Sequence, residues 1–331
     1  MIVVGHLDQI SLNVRVDNTA EVDTLYAVVV WYHPDESCIA YAQTLAESIP
    51  LIVIDNTESS SDNPKSANQR HDIRSNPNIT YIDNEGNQGI AHALNRGLRT
   101  VQDLSVLADK SVSSKAQIWC VLFDQDSRVD SSFIQRLDQI CQARDEKVAA
   151  VAPSYFNQRL KRRGKVISVS PLGIKRLDAK GSSPLVASYV ISSGCAIRVA
   201  ALPNIGLHDE SLFIDFVDIE WGFRASAAGY RIEVIPELEM SHQLGDEPIM
   251  LFGRRIVNHS PLRHYYYFRN ALLLCRRSYI PLVWKLAEVF KLVPRFLLYG
   301  LFSDCRWAQI KHILNGVFDG LRGRSGKKEY Y

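Results

Sequence analysis

The chain has 331 residues, 46% hydrophobic and 22% charged, with a formal net charge of +2; this is the composition of an ordinary globular protein with room for a substantial core, and so even a balance makes no case for a nucleic-acid binder. The average hides an asymmetry, because residues 261–331 carry 13 Lys or Arg against 4 Asp or Glu, so a basic, aromatic tail follows an acidic body. The six cysteines form no Cys-x-x-Cys pair, as expected of reduced thiols in a cytosol, and the opening residues lack the charged start and long apolar stretch of a signal peptide.

Residues 1–24 alternate weakly and are expected to form an extension of unassigned role. The first strong strand is LYAVVVWY, residues 25–32, followed by a helical pattern opened by Pro34 and Asp35 with apolar positions Ile39, Ala42, Leu45, Ala46 and Ile49. PLIVIDNT gives a second buried strand ending at Asp55, and the polar residues 58–78 read as a solvated loop. ITYIDNEGNQGIAHALNRGLRTV then predicts a strand at 79–82, a loop containing Gly86 and Gly89, and a helix over 90–101, with a polar loop at 105–115. The next strand, 118–123, is apolar and ends abruptly at Asp124-Gln125-Asp126. Alternating strands and helices imply an α/β fold with a mostly parallel sheet and crossover helices.

The second half is less regular. VAAVAPSYF reads as a strand, 161–165 as a basic loop, and VASYVISSGCAIRVAAL as one or two strands broken at Gly194. DESLFIDFVDIEWGFRASAAGY reads as a helix with acids at its entrance and Gly229 just past its end, followed by the strand RIEVIP. On such a helix Asp215 and Asp218 share a face, whereas Glu220 and Arg224 stand at i, i+4 with the acid leading, which assigns Glu220 to helix stability rather than chemistry.

In open α/β sheets ligands bind beyond the carboxyl ends of the strands. Two aspartates there suit a hard divalent cation, Mg²⁺ or Mn²⁺, which prefers oxygen ligands and is shared with phosphates. The competing reading makes them turn formers or the cap of the next helix.

VVVWYHPDE, VIDNTES, NEGNQGIAHALNRGL, FDQDS, SSGCAIRV, FIDFVDIEWGFRASAAGY and SHQLGD occur in the order found in the inverting, metal-dependent glycosyltransferases of family 2, which the chain resembles over residues 26–246. Within that family, FIDFVDIEWGFR, SHQLGD and YYYFRN are most similar to bacterial rhamnosyltransferases. The resemblance implies a GT-A fold over 25–258 and residue roles that follow the motifs. Tyr32 and Asp55 would contact the nucleoside base, Asn87 and Gly89 would line the nucleotide pocket, and Asp124, Gln125 and Asp126 would form the Asp-x-Asp element. Asp126 and His242 would ligate the cation, and Asp218 would be the general base. Ser193, Gly194, Asp215 and Trp221 would lie on the acceptor side, although Gly194 equally suits a strand bulge. Val217 stands where the family usually carries a first acid beside its base.

The same resemblance implies a nucleotide-sugar donor such as dTDP-rhamnose and a glycan or lipid-linked glycan acceptor in cell-surface polysaccharide synthesis. The alternatives are another donor such as UDP-galactofuranose, or a membrane-attached nucleotide-binding protein without turnover. The tail, 259–331, is too charged for a spanning helix. It is expected to lie peripherally on the inner face of the cell membrane, with Trp284, Phe290, Phe296, Tyr299 and Phe302 toward lipid and Lys285, Lys291 and Arg295 toward headgroups. The other reading has it cover the core or form a homo-oligomer interface.

Overall fold

The computed structural model describes residues 23–58, 73–109, 117–157, 161–242, 249–251, 254–256, 259–303 and 305–329. The extension up to residue 22, most of the polar loop at 58–78, and the motif beyond His242 lie outside the described residues.

The elements run β1 (Leu25–Trp31), α1 (Glu36–Ala46), β2 (Leu51–Asp55), β3 (Ile79–Asp83), α2 (Ile90–Asp109), β4 (Trp119–Asp124), α3 (Ser131–Gln142), β5 (Val148–Asn157), β6 (Arg162–Arg163), β7 (Lys165–Ser170), β8 (Gly173–Asp178), β9 (Leu185–Ala187), β10 (Cys195–Arg198), α4 (Leu202–Ile205), α5 (Val217–Ala227), β11 (Arg231–His242), β12 (Ile249–Leu251), β13 (Arg254–Ile256), α6 (Pro261–Cys275), α7 (Leu282–Phe302) and α8 (Arg306–Arg322). The main sheet has the order β3-β2-β1-β4-β10-β5-β11-β9, with β6 added beside β5. Its first four strands are mutually parallel, and β5 and β11 are parallel. β10 is inserted antiparallel between β4 and β5, so the start of β10 lies beside the carboxyl end of β4.

Every residue of β1 is buried, because strand side chains alternate between faces and both faces are covered. Leu25, Ala27, Val29 and Trp31 join α1 and α3 through Ile39, Leu45, Phe133 and Leu137 on one side. Tyr26, Val28 and Val30 meet Leu94, Leu98 and Val101 of α2 and Trp221 of α5 on the other. Asp35 caps α1 by accepting from the Cys38 amide at 2.8 Å, as its place before the helix requires.

Four boundaries differ from the sequence reading. α2 continues to Asp109 instead of stopping at Val101, and the basic loop at 161–165 is drawn into β6 and the β7–β8 hairpin. β9 and β10 are separate strands, one at the sheet edge and one inside it. The helix expected from Asp209 begins only at Val217, because Phe213, Asp215 and Phe216 adopt φ of 64°, 63° and 66°, a left-handed conformation that no helix tolerates.

The three C-terminal helices share a core of Phe216, Phe223, Phe268, Trp284, Tyr299 and Ile313. This reverses part of the expected membrane face. Trp284 and Tyr299 are buried, and Glu288 is sealed inside by Lys291 at 2.6 Å, Arg295 at 2.9 Å and the Tyr267 hydroxyl. Trp284 and Tyr299, with large aromatic area to bury, took the inward side, whereas Phe290 and Phe302 stay exposed. The outward side of α7 is instead Leu282, Leu286, Phe290, Val293, Leu297 and Leu301, a single stripe at helical spacing. No helix among the described residues is long and apolar enough to cross a membrane.

Candidate active site

The carboxyl ends of β2, β1 and β4 stand side by side, with Trp31 level with Asp55 and Val30 level with Asp124. The Gln125 side chain joins two of these ends, accepting from the Tyr32 amide at 2.8 Å. Beyond Asp124 the chain turns, the Ser127 amide donating to the Asp124 carbonyl at 3.0 Å. The cap of α3 is Asp130, which accepts from the Phe133 amide, so neither Asp124 nor Asp126 is occupied as a helix cap. Asp124 is half-buried and Asp126 exposed.

Asp55 is buried at the end of β2 and accepts from the Tyr81 hydroxyl at 2.7 Å and the Thr57 amide at 3.0 Å. Next to it, two buried asparagines shape the loop before α2. Asn84 donates to Asn56 Oδ1 at 3.0 Å, and Asn56 donates to Asn87 Oδ1 at 3.2 Å while accepting from the Gln88 amide. Asn87 in turn accepts from the Gly89 amide at 3.0 Å. Gly89 has φ +90°, and a Cβ there would stand 2.6–2.7 Å from the ring and carbonyl of Phe213; only glycine permits both. The Phe213 carbonyl caps α2, accepting from the Ile90 amide at 2.8 Å, which fastens the 213–216 turn to the loop before α2.

That turn carries the acids. A non-glycine chain in left-handed conformation stays there only when its surroundings hold it. Asn270 of α6 does so: its Nδ2 donates to the carbonyls of Leu212, Ile214 and Asp215 at 2.9, 2.7 and 3.1 Å. Arg269 adds a bond to Leu212 at 3.0 Å and to the Gly326 carbonyl at 2.6 Å. Asp215 therefore does not share a helical face with Asp218. It is bound by Arg263 Nε at 3.2 Å, and burial raises its pKa.

Asp218 stands in the first turn of α5, where its Oδ1 accepts from the Ile219 amide at 2.8 Å. That bond favours the anion, but burial outweighs it, and with the nearby charges of Asp215 and Asp124 it pushes the carboxyl up to about 6. A carboxylate of that basicity is suited to taking a proton near neutral pH. Glu220, by contrast, is held in a two-pronged pair by Arg224, both contacts at 2.8 Å, and accepts from Tyr279 at 2.5 Å. Its role is to lock α5.

Ser193 and Gly194 lie where β10 begins. Ser193 Oγ is 2.6 Å from Ser127 Oγ, and the Gly194 amide donates to Leu122 at 2.7 Å. Gly194 has φ +79° and a Cβ would press on Pro153 and Met240, so packing of the sheet accounts for this glycine. Trp221 is buried against the sheet, its Nε1 donating to the Gly206 carbonyl at 3.0 Å, and offers no surface to an acceptor. The backbone of His242 pairs with Asn157 at the end of β11; its side chain lies outside the described residues. The structure thus gathers Tyr32, Asp55, Asn87, Gly89, Asp124, Gln125, Asp126, Ser193, Asp215 and Asp218 around the carboxyl ends of the central strands and leaves Trp221 in the core.

Among the described residues no group of three or more His, Cys, Asp or Glu is placed to hold a metal ion. The donor set still fits a hard divalent cation. Mg²⁺ is commonly held by one or two carboxylates together with substrate phosphates, and Asp126 has no hydrogen-bond partner among the described residues. Sequence reading missed Asn56, Asn84, Arg269 and Asn270. The pair Arg269-Asn270 closes the motif YYYFRN, which was the signal available for them.

Residues 24–256 match the family described as glycosyltransferase like family 2. The chain is 32% identical over 311 residues to the dTDP-rhamnosyl transferase RfbF of Shigella flexneri, covering 92% of this chain and 98% of that one. Among solved structures it is similar to residues 1-349 of S. aureus TarS, with a TM-score of 0.53 and 15% identity over 90% of this chain and 81% of that one. It is also similar to GalNAc-T7 solved with UDP, GalNAc and Mn²⁺, with a TM-score of 0.51 and 13% identity over 90% of this chain and 56% of that one. The two structures speak for the GT-A-like fold alone. With the family match spanning most of the chain and a relative matched almost end to end, this protein is a glycosyltransferase and belongs to family 2.

Proposed function

We propose that the protein transfers L-rhamnose from dTDP-rhamnose, with inversion, to a lipid-linked or polysaccharide acceptor during cell-surface glycan synthesis at the inner face of the cell membrane. The observation that carries this reading is the similarity to a dTDP-rhamnosyl transferase along 98% of that protein's length and 92% of this chain. Residues 25–258 form the catalytic body in this reading, and 259–331 support it.

Inversion needs a base on the acceptor side of the sugar and charge neutralisation on the diphosphate side. Asp218 is the base: it accepts the proton of the acceptor hydroxyl as that oxygen bonds to the anomeric carbon and the bond to the diphosphate breaks. Burial, and after it the charges of Asp215 and Asp124, keep Asp218 basic. Tyr32, Asp55, Asn87 and Gly89 hold the nucleoside, and Asp124 and Gln125 hold the ribose end. Asp126 and His242 would hold Mg²⁺ or Mn²⁺, which when bound offsets the charge of the departing diphosphate without proton transfer. Ser127 and Ser193, hydrogen-bonded to each other, position the Asp-x-Asp turn against β10.

The test is nucleotide release from dTDP-, UDP- and GDP-sugars with Mg²⁺ or Mn²⁺ and lipid-linked acceptors present. Release from dTDP-rhamnose alone, lost in Asp218→Asn, is the expected result. Release from UDP-galactofuranose instead would overturn the donor assignment.

A further inference from the structure

The C-terminal residues after α8 fold back over α6. The Gly326 amide donates to the Ser211 carbonyl at 2.6 Å, the Lys328 amide donates to the Tyr266 hydroxyl at 2.8 Å, and Lys327 Nζ donates to the Asn87 carbonyl at 2.8 Å. Between this strap and α8 lies a cleft of about 630 Å³ lined by Lys311, His312, Phe318, Arg324, Lys327 and Lys328, with Asp319 and Glu329 also on its walls. Four cations thus face two carboxylates. Asp319 is already engaged by the Tyr265 hydroxyl at 2.9 Å and Arg324 at 3.3 Å. Lys328 lies 3.2 Å from His312 Nδ1 and 4.1 Å from the Tyr265 ring centre, and Lys311 has no partner among the described residues. The cleft lies outside residues 24–256, the span matched to the family.

The cleft adjoins apolar surface. Trp307, Leu314, Phe318 and Leu321 are exposed on α8, and with Lys311 they fall at i, i+4, i+7, i+11 and i+14, one stripe of the helix. Lys311 and Phe318 belong both to that stripe and to the cleft wall. An exposed apolar stripe edged by a basic recess matches an anionic lipid, with its phosphate in the recess and its chains along the helix. A second copy of this chain fits poorly, because a twofold contact would set the same positive recess against itself.

We infer that this cleft seats the phosphate or diphosphate group of a membrane lipid. Lys327 links the cleft wall to the loop that holds Asn87, so a lipid seated there is held one lysine side chain from the nucleotide side of the active site. This deepens the acceptor half of the function proposed above and rests on it only for the relevance of the lipid to transfer.

The experiment is co-sedimentation of the full chain, without any sugar donor, with vesicles of phosphatidylglycerol and phosphatidylcholine or of phosphatidylcholine alone. The wild type is expected to bind the anionic vesicles at least about tenfold more tightly, and Lys311→Glu with Arg324→Glu to remove that preference. Lys175→Glu, an exposed charge on β8, is expected to retain it. Thermal unfolding of each variant shows that the fold is intact. Equal loss in Lys175→Glu would mean diffuse charge attraction and would overturn the site. Binding of inorganic pyrophosphate that Lys311→Glu with Arg324→Glu abolishes, with no vesicle binding, would assign the cleft to a soluble phosphate ester and overturn the lipid; no vesicle binding and no pyrophosphate binding sensitive to that variant would overturn both. Because no donor is present, these outcomes are independent of whether dTDP-rhamnose is the substrate.

Discussion

Arg224 grips Glu220 with two hydrogen bonds, Nε to Oε1 and a terminal nitrogen to Oε2, each 2.8 Å long, while its remaining donors reach the carbonyls of Ile205 and Leu207. Glu220 is 1% exposed, so removing it strands a largely buried guanidinium. Glu220→Ala is expected to lose about 3 kcal/mol of stability, read by chemical denaturation. The folded fraction should still bind nucleotide with wild-type affinity, and a variant that folds normally but cannot turn over would instead place Glu220 in the chemistry.

Asp218 sets the pH dependence. Its carboxyl is raised from the ordinary 3.8 to about 6, and a base works only when deprotonated, so kcat/KM should fall about tenfold per pH unit below 6 and level off above it. Stability runs the other way. The folded state holds this proton more tightly than the unfolded state, so stability is greatest below about 4 and declines as pH rises through about 6. Asp218→Asn should therefore abolish transfer yet unfold no more easily than wild type at pH 8, with a gain of no more than about 3 kcal/mol. Denaturation curves at pH 5 and 8 give the comparison.

Asp126 is exposed, so Asp126→Ala should change stability by less than about 0.5 kcal/mol. Nucleotide release should nevertheless drop by about 10²–10³-fold and need more Mg²⁺ or Mn²⁺ for half-maximal rate. A metal titration of the release rate measures both, and an unchanged cation requirement would remove Asp126 from the ligand set.

Asn270 is wholly buried and binds three carbonyls of the 212–215 turn. Asn270→Ala leaves those acceptors unmatched, at a cost of about 3 kcal/mol. Because Asp218 follows directly on the released turn, kcat should fall more than the donor KM rises; steady-state kinetics at a temperature where the variant is folded separates the two.

The strands were legible because their signal is local. An apolar run that stops at Asp55 or Asp124 marks both a strand and its end, and the 3.6-residue period located α1 with four of its five buried positions, Ile39, Ala42, Leu45 and Ala46, missing Cys38. The 213–216 turn was not legible: Phe213, Asp215 and Phe216 have no intrinsic preference for φ near +64°, and the residue that holds them is 55 positions away at Asn270. The C-terminal helices show the same limit. Periodicity revealed that α7 is amphipathic, but which stripe faces the body depends on Phe216, Phe223 and Tyr267, which belong to other elements.

The strap after α8 also has a consequence for biosynthesis. Domains generally form as the chain emerges, from the N-terminus onward, yet Arg269 completes its hold on the 211–212 carbonyls together with Gly326, and Asn87 receives a bond from Lys327. The sheet can assemble early on the ribosome, but the loop at Asn87 and the turn before Asp218 gain these supports only once residue 327 has left the exit tunnel, so the two segments around the candidate site are completed after the sheet that carries them.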